Sequence, residues 1–205
     1  MIEIRELSVG YSRDKPLLEN FNYKFESGIY GISGNSGCGK TTLLRTIAGL
    51  TKPLKGQILV NGEPVKRAGK NGVYMMHQNY TSFDWLNCVN NILIAKSVKG
   101  NVVEKDVERA KELLSVVGLN GCEDKFPKQL SGGMKQRLAL ARTLFTNPGV
   151  ILMDEPLSAL DQENRIKMQD LILKINKETK NIILMVSHDH EEINRMCDKI
   201  ITLRR

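Results

Sequence analysis

An α/β fold built on a mostly parallel sheet is what the 205 residues predict, and three observations predict it. The first is Gly34-Asn35-Ser36-Gly37-Cys38-Gly39-Lys40-Thr41-Thr42, which fits G-x-x-x-x-G-K-[ST]. It lies between an apolar run, Gly28 to Ser33, and a helical stretch from Thr41 to Ala48 that Gly49 stops. The second is a pair of apolar runs, Val150 to Met153 and Asn181 to Val186, of the kind found in strands buried on both faces. The third is the alternation of apolar and polar residues before the loop, at Ile2, Ile4, Leu7 and Val9 and again at Phe21, Tyr23 and Phe25. Together they predict a phosphate-loop NTPase core with a mostly parallel sheet, an N-terminal antiparallel β layer and an inserted helical lobe. Residues 1–205 read as one domain, with 1–78 and 148–205 as core and β layer and 79–147 as the lobe.

The elements follow in order. Ile2 to Val9 is a strand ending at Tyr11, with a turn from Ser12 to Pro16. Phe21 to Phe25 is a half-buried strand. Gln57 to Val60, Asn61-Gly62 and Glu63 to Val65 form a hairpin, because Asn-Gly suits the tight turn. Gly72 to Met76 is a short strand ending at His77-Gln78, and an irregular stretch carrying Phe83 and Trp85 follows. Val89 to Ala95 is helical. Asn101 is expected to cap a second helix with Val103, Val107, Ala110, Leu113, Leu114 and Val117 on one face and Gly118 at its end. Ser131 caps a helix reaching about Phe145, and Asn147-Pro148 stops it. Asp161 caps a long helix with Ile166, Leu171, Ile172 and Ile175 turned inward. A short helix and a last strand, Lys199 to Leu203, finish the chain.

Composition narrows the function. Hydrophobic residues are 41% and charged residues 26%, the balance of a water-exposed globular domain. Lys and Arg number 30 against 23 Asp and Glu, a formal charge of +7. The cations are interspersed with acids, so the excess reads as a diffuse surface charge and not as a nucleic-acid tract. Cys38, Cys88, Cys122 and Cys197 show no C-x-x-C spacing, which argues against zinc and redox pairs and for a reducing compartment. The start, Met1 to Arg5, does not read as a signal peptide, and no apolar run approaches membrane-span length. The expected location is the cytoplasm.

The chemistry resides in the loop and at two strand ends. Loop glycines let successive N–H groups converge beside a helix N-terminus, which favours a triphosphate. Lys40 would reach the outer phosphates and Thr41 would offer its hydroxyl to Mg²⁺. Cys38, inside the loop at that helix end, is expected to be a reactive thiol. Asp154 and Glu155 stand where a buried strand delivers them, and ligands bind at the carboxyl ends of such strands. Asp154 would face the ion, and Glu155, one residue on, would face the attacking water as base. The bland reading of this pair is a solvated acidic turn. His188 alone would be weak evidence, since a lone histidine is usually packed or on the surface.

These motifs occur in a recognisable order: Lys40-Thr41, Gln78, Leu130-Ser131-Gly132-Gly133-Met134-Lys135-Gln136, Asp154-Glu155-Pro156, Ser158-Ala159-Leu160-Asp161 and His188. Over essentially its whole length the chain resembles the ATP-binding subunit of ABC transporters, the Leu-Ser-Gly-Gly signature being specific to that class. The resemblance implies that Tyr11 stacks on adenine and that Gly34 through Thr42 bind ATP. It implies that Thr41, Gln78 and Asp154 serve Mg²⁺, and that Glu155, His188 and Lys40 are catalytic. It also implies a head-to-tail dimer, homodimeric or with a paired ATPase. There Ser131, Gly132, Gly133 and Gln136 meet the other subunit's ATP, while Ser158 and Asp161 lie at the dimer contact. Membrane permease subunits would hold the dimer on the inner face of the cell membrane, with a solute-binding protein acting through them and no nucleic acid involved. The stretch from Gln78 to Leu86 is similar to the nitrate, sulfonate and taurine importers. Compared with other importer subunits, a C-terminal regulatory domain is expected to be absent. The rival readings fit less well. A phosphate-loop kinase has an acceptor lid and no such signature, and a DNA-repair relative needs a coiled coil longer than the segment from Gln78 to Leu130. A ribosome-acting relative fuses two such units.

Overall fold

The structure, a computed structural model, describes residues 1–12, 14–76, 82–98, 100–158 and 160–203. Strands β1 (Ile2–Ser12) and β2 (Lys15–Phe25) form the first antiparallel pair, and β3 (Gly28–Ser33) leads into helix α1 (Lys40–Ile47). β4 (Lys55–Val60) and β5 (Glu63–Pro64) make the expected hairpin, with Asn61 at φ 51° and Gly62 at φ 83° in its turn. β6 (Val73–Met76) precedes the helices α2 (Cys88–Ser97), α3 (Glu104–Val116) and α4 (Gly132–Phe145). β7 (Val150–Asp154), α5 (Gln162–Thr179), β8 (Ile182–Val186), α6 (His190–Met196) and β9 (Lys199–Thr202) complete the chain.

Two sheets result. An antiparallel sheet runs β2-β1-β4-β5, and a five-stranded sheet runs β6-β7-β8-β3-β9 with every pairing parallel. The parallel sheet is buried on both faces, and its side chains alternate between two cores. From β7 and β8, Val150, Leu152, Ile182 and Leu184 pack with α1 and the antiparallel sheet. Ile151, Met153, Ile183 and Met185 pack on the other side with α2 to α5. The helical segment therefore shares one core with that face of the sheet, through side chains such as Ile92, Leu114 and Leu138.

Three local expectations need correction. Asn101 does not cap α3; Val103 stands at the N-cap, and its N–H donates to the Asp106 carboxylate at 3.1 Å. Val103 itself is exposed, so the buried stripe begins later and is carried by Ala110 and Leu114. On α5, Ile166 points to solvent and Met168 takes the inward place, in phase with Ile172 and Ile175.

One buried polar residue fixes the irregular segment. Asn91 on α2 is fully buried. Its oxygen accepts from the Phe83 N–H at 2.8 Å, and its amide donates to the carbonyls of Phe83 (3.1 Å), Leu86 (2.8 Å) and Asn87 (3.1 Å). A side chain that replaces a missing backbone ladder gives this stretch a defined shape without helix or strand. Phe83 then meets Trp85 edge-on at 5.4 Å, and the Arg142 guanidinium lies 5.5 Å over the Phe83 ring.

Candidate active site

Three neighbouring parallel strands end at one edge of the sheet. β3 runs into the phosphate loop, β7 delivers Asp154 and then Glu155, and β8 delivers Ser187 and His188. Because β7, β8 and β3 lie side by side, residues far apart in sequence meet there. The resulting cleft, about 350 Å³, is lined by Tyr11, Leu17, Lys40, Thr41, Thr42, Glu155 and His188.

The loop is shaped by its glycines. Gly34 has φ 145°, and a methyl group there would lie 2.7 Å from the Cys38 sulfur and 2.8 Å from the Leu203 carbonyl. Gly39 has φ 100° and immediately precedes α1. Both positions demand backbone that other residues rarely adopt. Lys40 is nearly buried, and its ammonium donates to the carbonyls of Gly34 (2.7 Å) and Asn35 (3.0 Å). The ammonium is thus held over the loop by neutral acceptors. Phosphate oxygens are stronger, charge-assisted acceptors, so an anion can take them over.

The strand ends are tied to the loop and to each other. The Thr41 hydroxyl donates to the Asp154 carboxylate at 3.2 Å. That hydroxyl and carboxylate form an oxygen donor set of the hard kind Mg²⁺ takes, which fits a magnesium site. The Glu155 N–H donates to the Val186 carbonyl at 2.9 Å, and its own carbonyl accepts from the Ser158 hydroxyl at 3.1 Å. These bonds hold Glu155 at φ 50°, a left-handed conformation that costs a side-chain-bearing residue about 1–2 kcal/mol. It turns the carboxylate toward His188, whose Nε2 lies 2.9 Å from Glu155 Oε1.

The other expected residues fall in different places. Tyr11 is 89% exposed on the cleft wall, an open ring face for a base to stack on. Ser131 caps α4, its hydroxyl accepting from the Met134 N–H at 3.3 Å. Ser131, Gly132 and Gly133 lie outside the cleft, and Gly133 lines a separate hollow with Leu160 and Asn164. Gln136, expected with them at another subunit's nucleotide, is fully buried in this chain, its side chain turned into the packing around α4. Asp161 caps α5, and hydrogen bonds from the Asn164 backbone and side chain hold its carboxyl below the ordinary value. Gln78 lies outside the described residues. Cys38 is only 2% exposed and packs in the core under the loop, which overturns the expectation of an accessible thiol. Leu17 is a further residue of the cleft, one with no motif around it in the sequence. It stands against Gly39 and forms the apolar wall of the cleft, and nothing in the strand pattern around it marks that role.

Known proteins bear on this geometry. The ABC transporter family profile matches residues 18–158. The ABC transporter ATP-binding protein MJ0412 of Methanocaldococcus jannaschii is 42% identical over 188 residues, covering 91% of this chain and 70% of that one. The aliphatic sulfonates import ATP-binding protein SsuB of Bacillus cereus is 36% identical over 206 residues, covering 98% and 80%. Among solved structures, the dimeric post-hydrolysis state of the cassette MJ0796, bound to ADP and Pi, superposes with a TM-score of 0.86 at 28% identity, covering 100% of this chain and 94% of that one. With a phosphate loop, an acidic strand end and a histidine converging on one cleft, and with relatives matched along nearly the full length, the chain belongs to the ABC transporter family as one of its ATP-binding, ATP-hydrolysing subunits.

Proposed function

We propose that Glu155 is the base for the water that attacks the γ-phosphate, and that His188 orients Glu155 and contacts that phosphate. The observation that carries this reading is the 2.9 Å approach of Glu155 Oε1 and His188 Nε2 beside the phosphate loop. Phosphoryl transfer needs positioning and charge stabilisation more than covalent help. Lys40 and the loop amides supply positive potential at the outer phosphates. Tyr11 stacks on the base and sets nucleotide position. Thr41, Asp154 and Gln78 are the residues that would hold Mg²⁺, whose contribution when bound is to neutralise charge on the phosphate oxygens. Ser131, Gly132 and Gly133, exposed at the head of α4 or close to it, act on the nucleotide of a second subunit in a head-to-tail dimer, with Ser158 and Asp161 at the contact. The relative named for aliphatic sulfonate import supports an importer of a small solute, seated on membrane permease subunits and served by a solute-binding protein. No helix among the described residues is long and apolar enough to cross a membrane, which leaves the spanning role to the permease. The segment held by Asn91, with Trp85 73% exposed, supplies an aromatic anchor for a permease helix.

The test is Glu155→Gln, which keeps size and removes the base. ATP affinity is expected within about twofold of wild type and hydrolysis reduced about 10²–10⁴-fold, the usual contribution of a general base. Gel filtration should show an ATP-stabilised dimer. Hydrolysis near the wild-type rate would remove Glu155 from its role.

A further inference from the structure

Behind His188 lies a cluster of charged and polar groups that the hydrolytic chemistry does not use. Arg165, on the first turn of α5, donates from one terminal nitrogen to Asp189 Oδ2 at 2.9 Å and from the other to the Leu160 carbonyl at 3.3 Å. Asp189 follows His188, and Leu160 precedes Asp161. One guanidinium therefore bridges the segment carrying the catalytic histidine to the segment assigned to the dimer contact. Asp189 Oδ1 accepts from the N–H groups of Glu191 (2.9 Å) and Glu192 (3.2 Å), which fixes the start of α6. Glu192 is 4% exposed and is hydrogen-bonded to the Ser187 side chain, on the other side of His188.

Two buried groups in this cluster have no hydrogen-bond partner among the described residues: Nε–H of Arg165 and Oε1 of Glu192. One is a donor and the other an acceptor, and both residues are bound to Asp189. Leaving such groups buried and unpaired is costly, and each is what the other lacks. We propose that Arg165 and Glu192 are positioning residues that latch the His188 segment to the Leu160–Asp161 segment, the Arg165 Nε–H donating to Glu192 Oε1 when the dimer closes on nucleotide. The latch rests on the reading of the cleft as an ATPase site. It gives one subunit's γ-phosphate side a direct mechanical tie to the segment facing its partner. The charged and titratable groups around Glu192 are Asp189, Arg165, Glu155 and Cys197. Burial is the main cause that raises its carboxyl to about 7, while Ser187 and Arg165 pull it down.

The full chain can test this with ATP as the probe. Arg165→Lys keeps the charge opposite Asp189 but lacks the Nε–H, and Glu192→Met keeps the length but has no oxygen to accept it. Each is expected to lower kcat about tenfold with KM for ATP within twofold. The double variant is expected to lose no more than the worse single one, because the two act as a unit. In a Glu155→Gln background, Arg165→Lys should also shift the ATP-stabilised dimer toward monomer in sedimentation velocity. Independent losses multiplying to about a hundredfold, unchanged kcat in both variants, or a raised KM with unchanged kcat would each overturn the latch. If Glu192→Met does not fold, the Arg165→Lys kcat and sedimentation results decide alone. Wild-type protein without ATPase activity would instead sink the active-site reading beneath it.

Discussion

Glu192→Gln should make the protein more stable in alkaline buffer and leave it nearly unchanged in acid. The Glu192 carboxyl is raised from 4.5 to about 7, chiefly by burial. Between those values the folded chain holds a proton that the unfolded chain has released. Stability therefore falls as pH rises through that window, and the whole loss is present above about pH 7. A tenfold change in proton affinity corresponds to about 1.36 kcal/mol, so the burial of this carboxyl costs about 3 kcal/mol at pH 8. Glutamine is neutral throughout and close in shape, so it escapes that cost. For a chain of this length about 3 kcal/mol corresponds to a melting shift of about 7 °C. The assay is thermal unfolding without nucleotide, followed by circular dichroism from about pH 5 to pH 8. The curves for wild type and variant should come within about 1 kcal/mol at the acid end, diverge up to about pH 7 and run parallel beyond it. Parallel curves over the whole range would refute the reasoning, since they would mean that Glu192 is charged and well solvated in the folded state.

Two further outcomes are expected. Ser131→Arg should leave ATP affinity of the monomer almost intact and abolish turnover, measured by equilibrium nucleotide binding beside steady-state hydrolysis; equal loss of monomer affinity would place Ser131 in its own subunit's site. Asn91→Leu should lower the melting temperature by about 7 °C, from roughly 3 kcal/mol for the Phe83 N–H and the Leu86 carbonyl left unpaired, and speed amide exchange at Phe83; unchanged melting and exchange would show that the segment holds its shape without Asn91.

The parts of the site that stood out in the sequence are those whose context is local. Asp154, Glu155 and His188 are marked by the apolar runs that deliver them, and the phosphate loop by glycines at fixed spacing. Ser131 and Asp161 were legible as caps because a cap is decided within three residues. What was not legible depends on distant partners. Asn91 and Glu192 sit at polar positions on helices, where a single sequence suggests solvent, and only the packed structure buries them. Leu17 gains its place on the cleft wall from its contact with Gly39, more than twenty residues on. The start of α3 misled for a related reason: Asp106 reaches back to the Val103 N–H, so the capping group lies inside the helix while Asn101 attracts attention outside it. Gln136, next to a motif expected to face a partner, is turned inward by the helical phase of α4.

The left-handed backbone at Glu155 bears on how this protein could be engineered. Glycine would adopt φ 50° with less strain, so a screen that rewards thermal tolerance alone would drift toward a small residue at 155 and discard the proposed base with it. Selection for robustness and selection for turnover pull in opposite directions at this single position. Stabilised versions that must still hydrolyse ATP are better sought on exposed helix faces, such as the outward side of α5 around Ile166, where no catalytic geometry depends on the side chain.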